Sequence, residues 1–295
     1  MLLPVVAWFF IFCYMPMGGI IMAFENYKFG KGLLGSQWVG FKNFTDFFGS
    51  YYFTRLLGNT LALSVYDLCV SFPAAIIFAL LLNEVHNRLF KRTIQTVSYL
   101  PYFISMVVVC GLVKTFTESG GALSLISQVL GGPSELISNA GAFRSIVVGS
   151  NLWQNLGYGS IIYISALGSI DTELYEAARI DGAGHFRLLW SVVLPVSKSI
   201  LAVVTLFYAI QIWNSWFHTA IYVTDRSLYP LQIILREIVL QNSASSETGD
   251  PNEVNVIQVL IKYCVIMMSI IPMMVLYPFI QKYFVSGVMI GSIKG

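Results

Sequence analysis

Six long apolar runs alternate with polar stretches along the chain, at about 2–24, 56–82, 96–116, 145–167, 200–222 and 256–280. A helix needs about 20 apolar residues to cross the hydrocarbon core of a bilayer, and these runs reach that length. The pattern predicts an all-α membrane protein with six transmembrane helices, forming a single transmembrane domain over residues 1–295. The first run carries no charge, has no basic segment before it and no small-residue cleavage site after it, so it reads as a span rather than a signal peptide. Pro16 with Gly18 and Gly19, Pro73, Pro101 and Pro272 fall inside or at the edges of spans and mark expected kinks.

Polar residues inside such runs are costly unless they face protein or water. The second span holds Asp67 near its middle, and the last holds Lys262 near its start. Each is expected to be shielded from lipid, either paired with the other or hydrogen-bonded to a neighbouring helix. The fourth span contains Trp153, Gln154, Asn155 and Tyr158, with the small residues Gly157 and Gly159; the fifth contains Gln211, Trp213, Asn214, Trp216 and His218. Gln154 and Tyr158 share a helix face at i, i+4, and Tyr208, Gln211 and Asn214 recur along a face of the next helix. Gln154, Tyr158, Gln211 and Asn214 are therefore the expected wet face of a solute pathway; interhelical hydrogen bonding is the other use of such residues.

Between the spans, 25–55 is rich in aromatics (Trp38, Phe41, Phe44, Phe47, Phe48, Phe53), which reads as an interfacial aromatic belt. Residues 83–94, with Arg88, Lys91 and Arg92, 117–143 and 223–255 read as loops. With both termini placed in the cytoplasm the basic residues divide equally between the two sides. The inner loops are shorter, so their density of Lys and Arg favours that orientation.

The most informative loop is 171–195. Asp171 can cap a helix, and Glu173 follows in its first turn, where the dipole favours an acid. Leu174, Ala177, Ala178 and Asp181 recur at i, i+3, i+4 and i+7, a single helical face made narrow by its alanines. Gly182 and Gly184 stop the helix, and a second apolar-periodic run ends at Leu194-Pro195. A short helix with a small-volume face, carried between membrane segments, can lie in a groove of another protein.

Glu176-Ala177-Ala178, Gly182 three residues after Arg179, and Leu194-Pro195 resemble the EAA loop of permease subunits in binding-protein-dependent ABC importers. The fuller run Glu-Ala-Ala-x-Ile-Asp-Gly-Ala is similar to the carbohydrate, maltose-type branch of that family. So are Gln37 to Phe44 and the C-terminal tail from Gln281. The resemblance implies the type I ABC importer permease fold and a cytoplasmic EAA loop. Glu176, Ala177, Ala178, Asp181, Gly182 and Ala183 would then couple the chain to a separate ATP-binding cassette dimer. It also implies a second six-span permease subunit, making a heterodimer or homodimer, and an extracellular or periplasmic solute-binding protein. Sugar or oligosaccharide is the implied cargo, with another small polar solute as the alternative, and the cell membrane the location. Up to Pro195 the chain looks like one subunit type of oligosaccharide permeases. From Trp213-Asn-Ser-Trp216 and Tyr229-Pro-Leu-Gln232 it looks like the other. Thr172 stands where the family often has proline, and Asp67 has no expected counterpart there.

Composition agrees with the pattern. The 295 residues are 56% hydrophobic and 11% charged, against about 25% charged in soluble domains, and the mean hydropathy is +0.72. A net charge of +2 gives no footprint for nucleic acid. Cys13, Cys69, Cys110 and Cys264 lie in apolar runs without metal-ligand spacing and read as small buried hydrophobes. There is no G-x-x-x-x-G-K-S/T phosphate loop, no His-Glu-x-x-His and no Gly-x-Ser-x-Gly. No catalytic residue, metal or cofactor is expected on this chain. The competing expectation is an ion-gradient-driven carrier or channel, which would hold several intramembrane ionisable groups or paired broken helices.

Overall fold

Proline decides the local geometry of the longest apolar elements. In the computed structural model, which describes residues 2–27, 31–168, 170, 173, 176, 180, 182, 184–223, 225–245, 263–278 and 281, the first span is helical throughout Leu2–Phe24. It widens into a π-turn at Phe10–Tyr14 and tightens into 3-10 geometry at Gly18–Phe24. Pro16 has no N–H and its ring presses on the carbonyl four residues back, a crowding that one wider turn relieves. The same device recurs at Leu189–Val193, two residues before Pro195. In the Tyr51–Glu84 helix Pro73 is absorbed without interruption.

Two compact units make up the chain. One comprises Met1–Thr60 with Tyr229–Met274, the other Leu61–Leu228 with Val275–Gly295. In the first, the end of Leu2–Phe24 turns into a two-residue antiparallel ladder, Glu25–Asn26 against Gln37–Trp38. It is a small departure from an all-α chain. Asn43, on the Lys42–Phe48 helix, donates from Nδ2 to the carbonyls of Ala23 (3.0 Å) and Glu25 (3.1 Å) and holds that helix against the ladder. Phe24 stacks on Trp38 and meets Phe41 and Phe44 edge-on or tilted. Ala23, Phe44 and Cys264 form the local core with Tyr263 and Met267. The Leu231–Ser245 helix starts on Thr60, whose hydroxyl donates to Leu56 O (2.7 Å) and accepts from Leu231 N (2.8 Å).

In the second unit the part of the Tyr51–Glu84 helix after Thr60 meets Ala140–Gly168 and Lys198–Trp213 around Ala75, Ala79, Tyr163 and Val204, with Phe72, Leu156 and Tyr208 packed over them. Alanines at the crossing let the backbones approach, and van der Waals contact then holds the helices together. Gly157 has the same role toward the end of the Arg88–Tyr99 helix, where a Cβ would run into the backbone of Ser98.

Among the described residues four helical segments are long and apolar enough to cross a membrane, Leu2–Phe24, Phe53–Glu84, Met106–Val129 and Ile200–Tyr222, the last two each interrupted by a short break, after Thr117 and after Trp213. The expected span 145–167 lies within Ala140–Gly168, and the described part of 256–280 is helical over Tyr263–Pro278. Several expectations need correction. The span at 96–116 is not one helix: Arg88–Tyr99 ends, Leu100–Phe103 makes a 3-10 turn around Pro101, and a new helix runs Met106–Thr117. Proline disfavours helical backbone in the residue before it, so a run of uniform hydropathy breaks there. Arg88, Lys91 and Arg92 lie not in a loop but on a helix whose N-terminus Asn87 caps, accepting from Leu89 N and Phe90 N. The stretches read as loops at 117–143 and 223–255 contain the helices Ala122–Val129 and Leu231–Ser245. Of the cysteines, Cys110 and Cys264 are buried, whereas Cys13 and Cys69 are exposed on apolar helices, where a thiol acts as a small apolar side chain.

Candidate functional site

The second unit encloses a cavity of about 750 Å³, within the range usual for small-molecule sites. Three walls form it. The first belongs to the middle of the Tyr51–Glu84 helix, where Asp67 is 5% exposed. Burial there requires that its oxygens be satisfied. Ser71, one turn on, donates to Oδ1 (2.5 Å), and Asn151 of the Ala140–Gly168 helix donates from Nδ2 to Oδ2 (2.7 Å). Asn155 in turn donates to Asn151 Oδ1 (2.8 Å) and to its backbone carbonyl. Ser71, Asp67, Asn151 and Asn155 thus make one hydrogen-bonded chain along the cavity lining.

The second wall is the face of the Ala140–Gly168 helix that carries Asn151, Gln154, Asn155 and Tyr158, spaced three and four apart. Its outer edge is set by the break at Pro101. Gln154 Nε2 donates to Ile104 O (3.0 Å), and Tyr102 stacks flat on Tyr158 with ring centroids 3.8 Å apart. The third wall is the end of Lys198–Trp213 and the residues after it: Tyr208, Gln211, Asn214, Trp216 and His218. Asn214 closes the helix and donates to Ile210 O (2.9 Å). Gly159 leaves space for the Tyr208 hydroxyl.

The four residues picked from sequence for the pathway, Gln154, Tyr158, Gln211 and Asn214, all line this one cavity. Trp153 points away and is half exposed, whereas Asn155 lines the cavity with the others. Sequence reading missed Asn151 and His218; the i, i+4 step from Asn151 to Asn155 was the available signal for the first. Asp67 is shielded from lipid as expected, by Ser71 and Asn151. Lys262 lies outside the described residues. Among the described residues two buried lining polar atoms have no protein partner: Gln154 Oε1, on a side chain 5% exposed, and His218 Nε2, on one 2% exposed. The surface therefore offers aromatic faces, amides, a hydroxyl and a carboxylate, a set that suits a polar solute with apolar ring faces.

Of the 171–195 loop, Glu173, Glu176 and Ile180 are helical and exposed, and Gly182 turns the chain at φ +74°, a left-handed backbone that glycine adopts freely. Ala177, Ala178, Asp181 and Ala183 lie outside the described residues. Among the described residues no group of His, Cys, Asp and Glu could hold a metal ion.

Comparison with known proteins places this architecture. The chain is 42% identical over 205 residues to the LplB protein of Bacillus subtilis (strain 168), a stretch covering 69% of this chain and 64% of LplB. It is 41% identical over 205 residues to the polygalacturonan/rhamnogalacturonan transport system permease protein YteP of the same organism, with the same coverage. The matched stretch thus spans just under two thirds of the length of these relatives. A crystal structure of a bacterial alginate ABC transporter in complex with an alginate pentasaccharide-bound periplasmic protein contains a similar chain. The TM-score is 0.78 at 30% identity, over 95% of this chain and 91% of that one. Residues 71–245 match the family described as the inner membrane component of binding-protein-dependent transport systems, and the chain belongs to that family.

Proposed function

We propose that the chain is a six-span permease subunit of an ABC importer for sugar or oligosaccharide, with the 750 Å³ cavity as its part of the solute pathway. The observation that carries this reading is the coincidence of two things on one stretch. The family match, residues 71–245, contains every cavity-lining residue except Asp67, and it contains the 171–195 loop as well. A gradient-driven carrier loses its ground with that membership.

In this reading a solute-binding protein docks outside, and a second permease subunit completes the pathway. An ATP-binding cassette dimer engages the cytoplasmic loop through Glu176, Ala177, Ala178, Asp181, Gly182 and Ala183, and both termini are cytoplasmic. What supports the coupling role is the exposed helical placement of Glu173, Glu176 and Ile180 and the stop at Gly182. ATP-driven closure of the cassettes draws the loops together and rocks the spans, exposing the cavity first to one side and then to the other. The gain from ATP is thereby converted into a change of access, with no catalytic group on this chain. The test is Ala177→Trp in the reconstituted importer. Sugar uptake and copurification of the ATPase should fall together while the membrane level of the chain holds; uptake at the normal rate would end the coupling proposal.

A further inference from the structure

Resting on that reading, we infer that the cavity is built for a neutral polyhydroxylated solute and turns away uronates. Among the described lining residues there is no lysine or arginine, and the side chain of Asp67 places a carboxyl group in the wall. A guest carboxylate entering here would shed water, find no cation to replace it and meet a group of its own kind.

Three neutral donors beside that carboxyl are already committed. Asn151 Nδ2 and Ser71 Oγ are both directed at Asp67, and Asn155 Nδ2 at Asn151. Ser71 and Asn151 are thus engaged on the protein's own carboxyl and Asn155 on Asn151, rather than aimed at a guest. One wall residue also carries a buried acceptor without a protein partner. Gln154 Nε2 is held by Ile104 O, which fixes the amide so that Oε1 is the unpartnered atom. An amide oxygen needs a proton donor: a sugar hydroxyl supplies one, and an ionised carboxylate has none to give. The stacked Tyr102–Tyr158 pair supplies a flat face for the C–H side of a pyranose ring, indifferent to charge. The solved neighbour takes part in import of the acidic polysaccharide alginate; the lining described for this chain matches a different charge class.

The discriminating pair is β-1,4-galactotriose and β-1,4-linked trigalacturonate with the ring configuration held the same, which differ only at C6. Binding of each radiolabelled trisaccharide is measured on the complete importer, both permease subunits with the ATPase, in nanodiscs without the receptor, so that receptor specificity does not enter. The neutral trisaccharide should bind at least about tenfold more tightly, the scale expected for an uncompensated like-charge contact. Asp67→Asn should narrow that ratio by raising uronate affinity. Gln154→Met should lower the affinity for both trisaccharides, which share their ring hydroxyls, and leave the ratio between them in place. Elution of each variant importer as intact complex on size exclusion establishes that it is folded. Equal or tighter binding of the uronate overturns the inference and leaves the permease reading standing, as does a ratio that Asp67→Asn does not move. Binding of neither trisaccharide sinks the inference together with the sugar reading beneath it. If His218 were an anion-binding cation instead, His218→Gln would selectively weaken uronate binding, and that result too overturns the inference.

Discussion

Replacing Gly157 by alanine tests the packing that sets the cavity's edge. A Cβ there would fall inside 3.0 Å of the Ser98 backbone and 2.9 Å from Tyr99 Cδ1. Backbone cannot rotate away as a side-chain tip can, so the Ala140–Gly168 and Arg88–Tyr99 helices must separate. Overpacking of this kind costs about 1–3 kcal/mol. Alanine also removes glycine's conformational freedom in the unfolded chain, a gain of about 0.4–1 kcal/mol. Gly149, on the same helix, faces open space: a Cβ there would meet nothing within 4 Å, so Gly149→Ala takes the gain without the clash. The difference between the two variants isolates the steric cost, about 1–3 kcal/mol. At roughly 2–4 °C per kcal/mol it separates their midpoints by several degrees. Thermal midpoints read by fluorescence-detected size exclusion in detergent provide the assay. Gly157→Ala should also slow uptake more than Gly149→Ala, because the displaced segment leads straight into Tyr102 and Ile104, which hold Tyr158 and Gln154. Midpoints within about one degree of each other would refute the close approach at Gly157.

Three other outcomes are expected. Gly182→Val places a β-branched residue at φ +74°, a strain of about 1–3 kcal/mol; uptake should be lost at normal membrane level, and retained uptake would separate the turn from coupling. Cysteines at 154, 158, 211 and 214 should react with a water-soluble thiol reagent and be protected by transported sugar, whereas a cysteine at 153 should gain no protection. Thr60→Val should lower stability by about 1–3 kcal/mol, because Leu231 N loses its acceptor while buried, and Thr60→Ser should restore it; equal midpoints for valine and serine would remove the cap.

Uniform apolar runs are legible because a bilayer imposes length and composition together: 2–24 coincides with a helical element bounded at the same residues, whereas the helix in 200–222 starts at Lys198, breaks after Trp213 and resumes at Phe217. The 96–116 run reads as one span because hydropathy carries no information about backbone breaks; Pro101 is the join between two helices rather than a kink near the start of one. Charge misleads at Arg88, Lys91 and Arg92. Basic residues mark a cytoplasmic edge, but they form helix readily, and Asn87 supplies the cap. Helical spacing is enough to gather Gln154 and Tyr158 on one face. Of the two partners of Asp67, Ser71 lies one turn on, within reach of such reasoning, but Asn151 does not, since it lies 84 residues away and only the crossing of two helices joins them. His218 carries no local pattern at all; its distinction is an unpartnered buried nitrogen, a property of the folded chain.

The Thr60–Leu231 hydrogen bond closes a unit whose two parts, Met1–Thr60 and Tyr229–Met274, are separated by all of Leu61–Leu228. During synthesis at about 5–20 residues per second the first part must therefore wait roughly 10 to 30 seconds before its partner leaves the ribosome. For that interval Ala23 and Phe44 lack the Cys264 side of their core, and the Thr60 hydroxyl oxygen has no Leu231 N–H from which to accept. The N-terminal segment is thus a nascent chain held open, dependent on lipid or the insertion machinery to cover it, and chain truncation before Tyr229 should leave it as a substrate for membrane proteases.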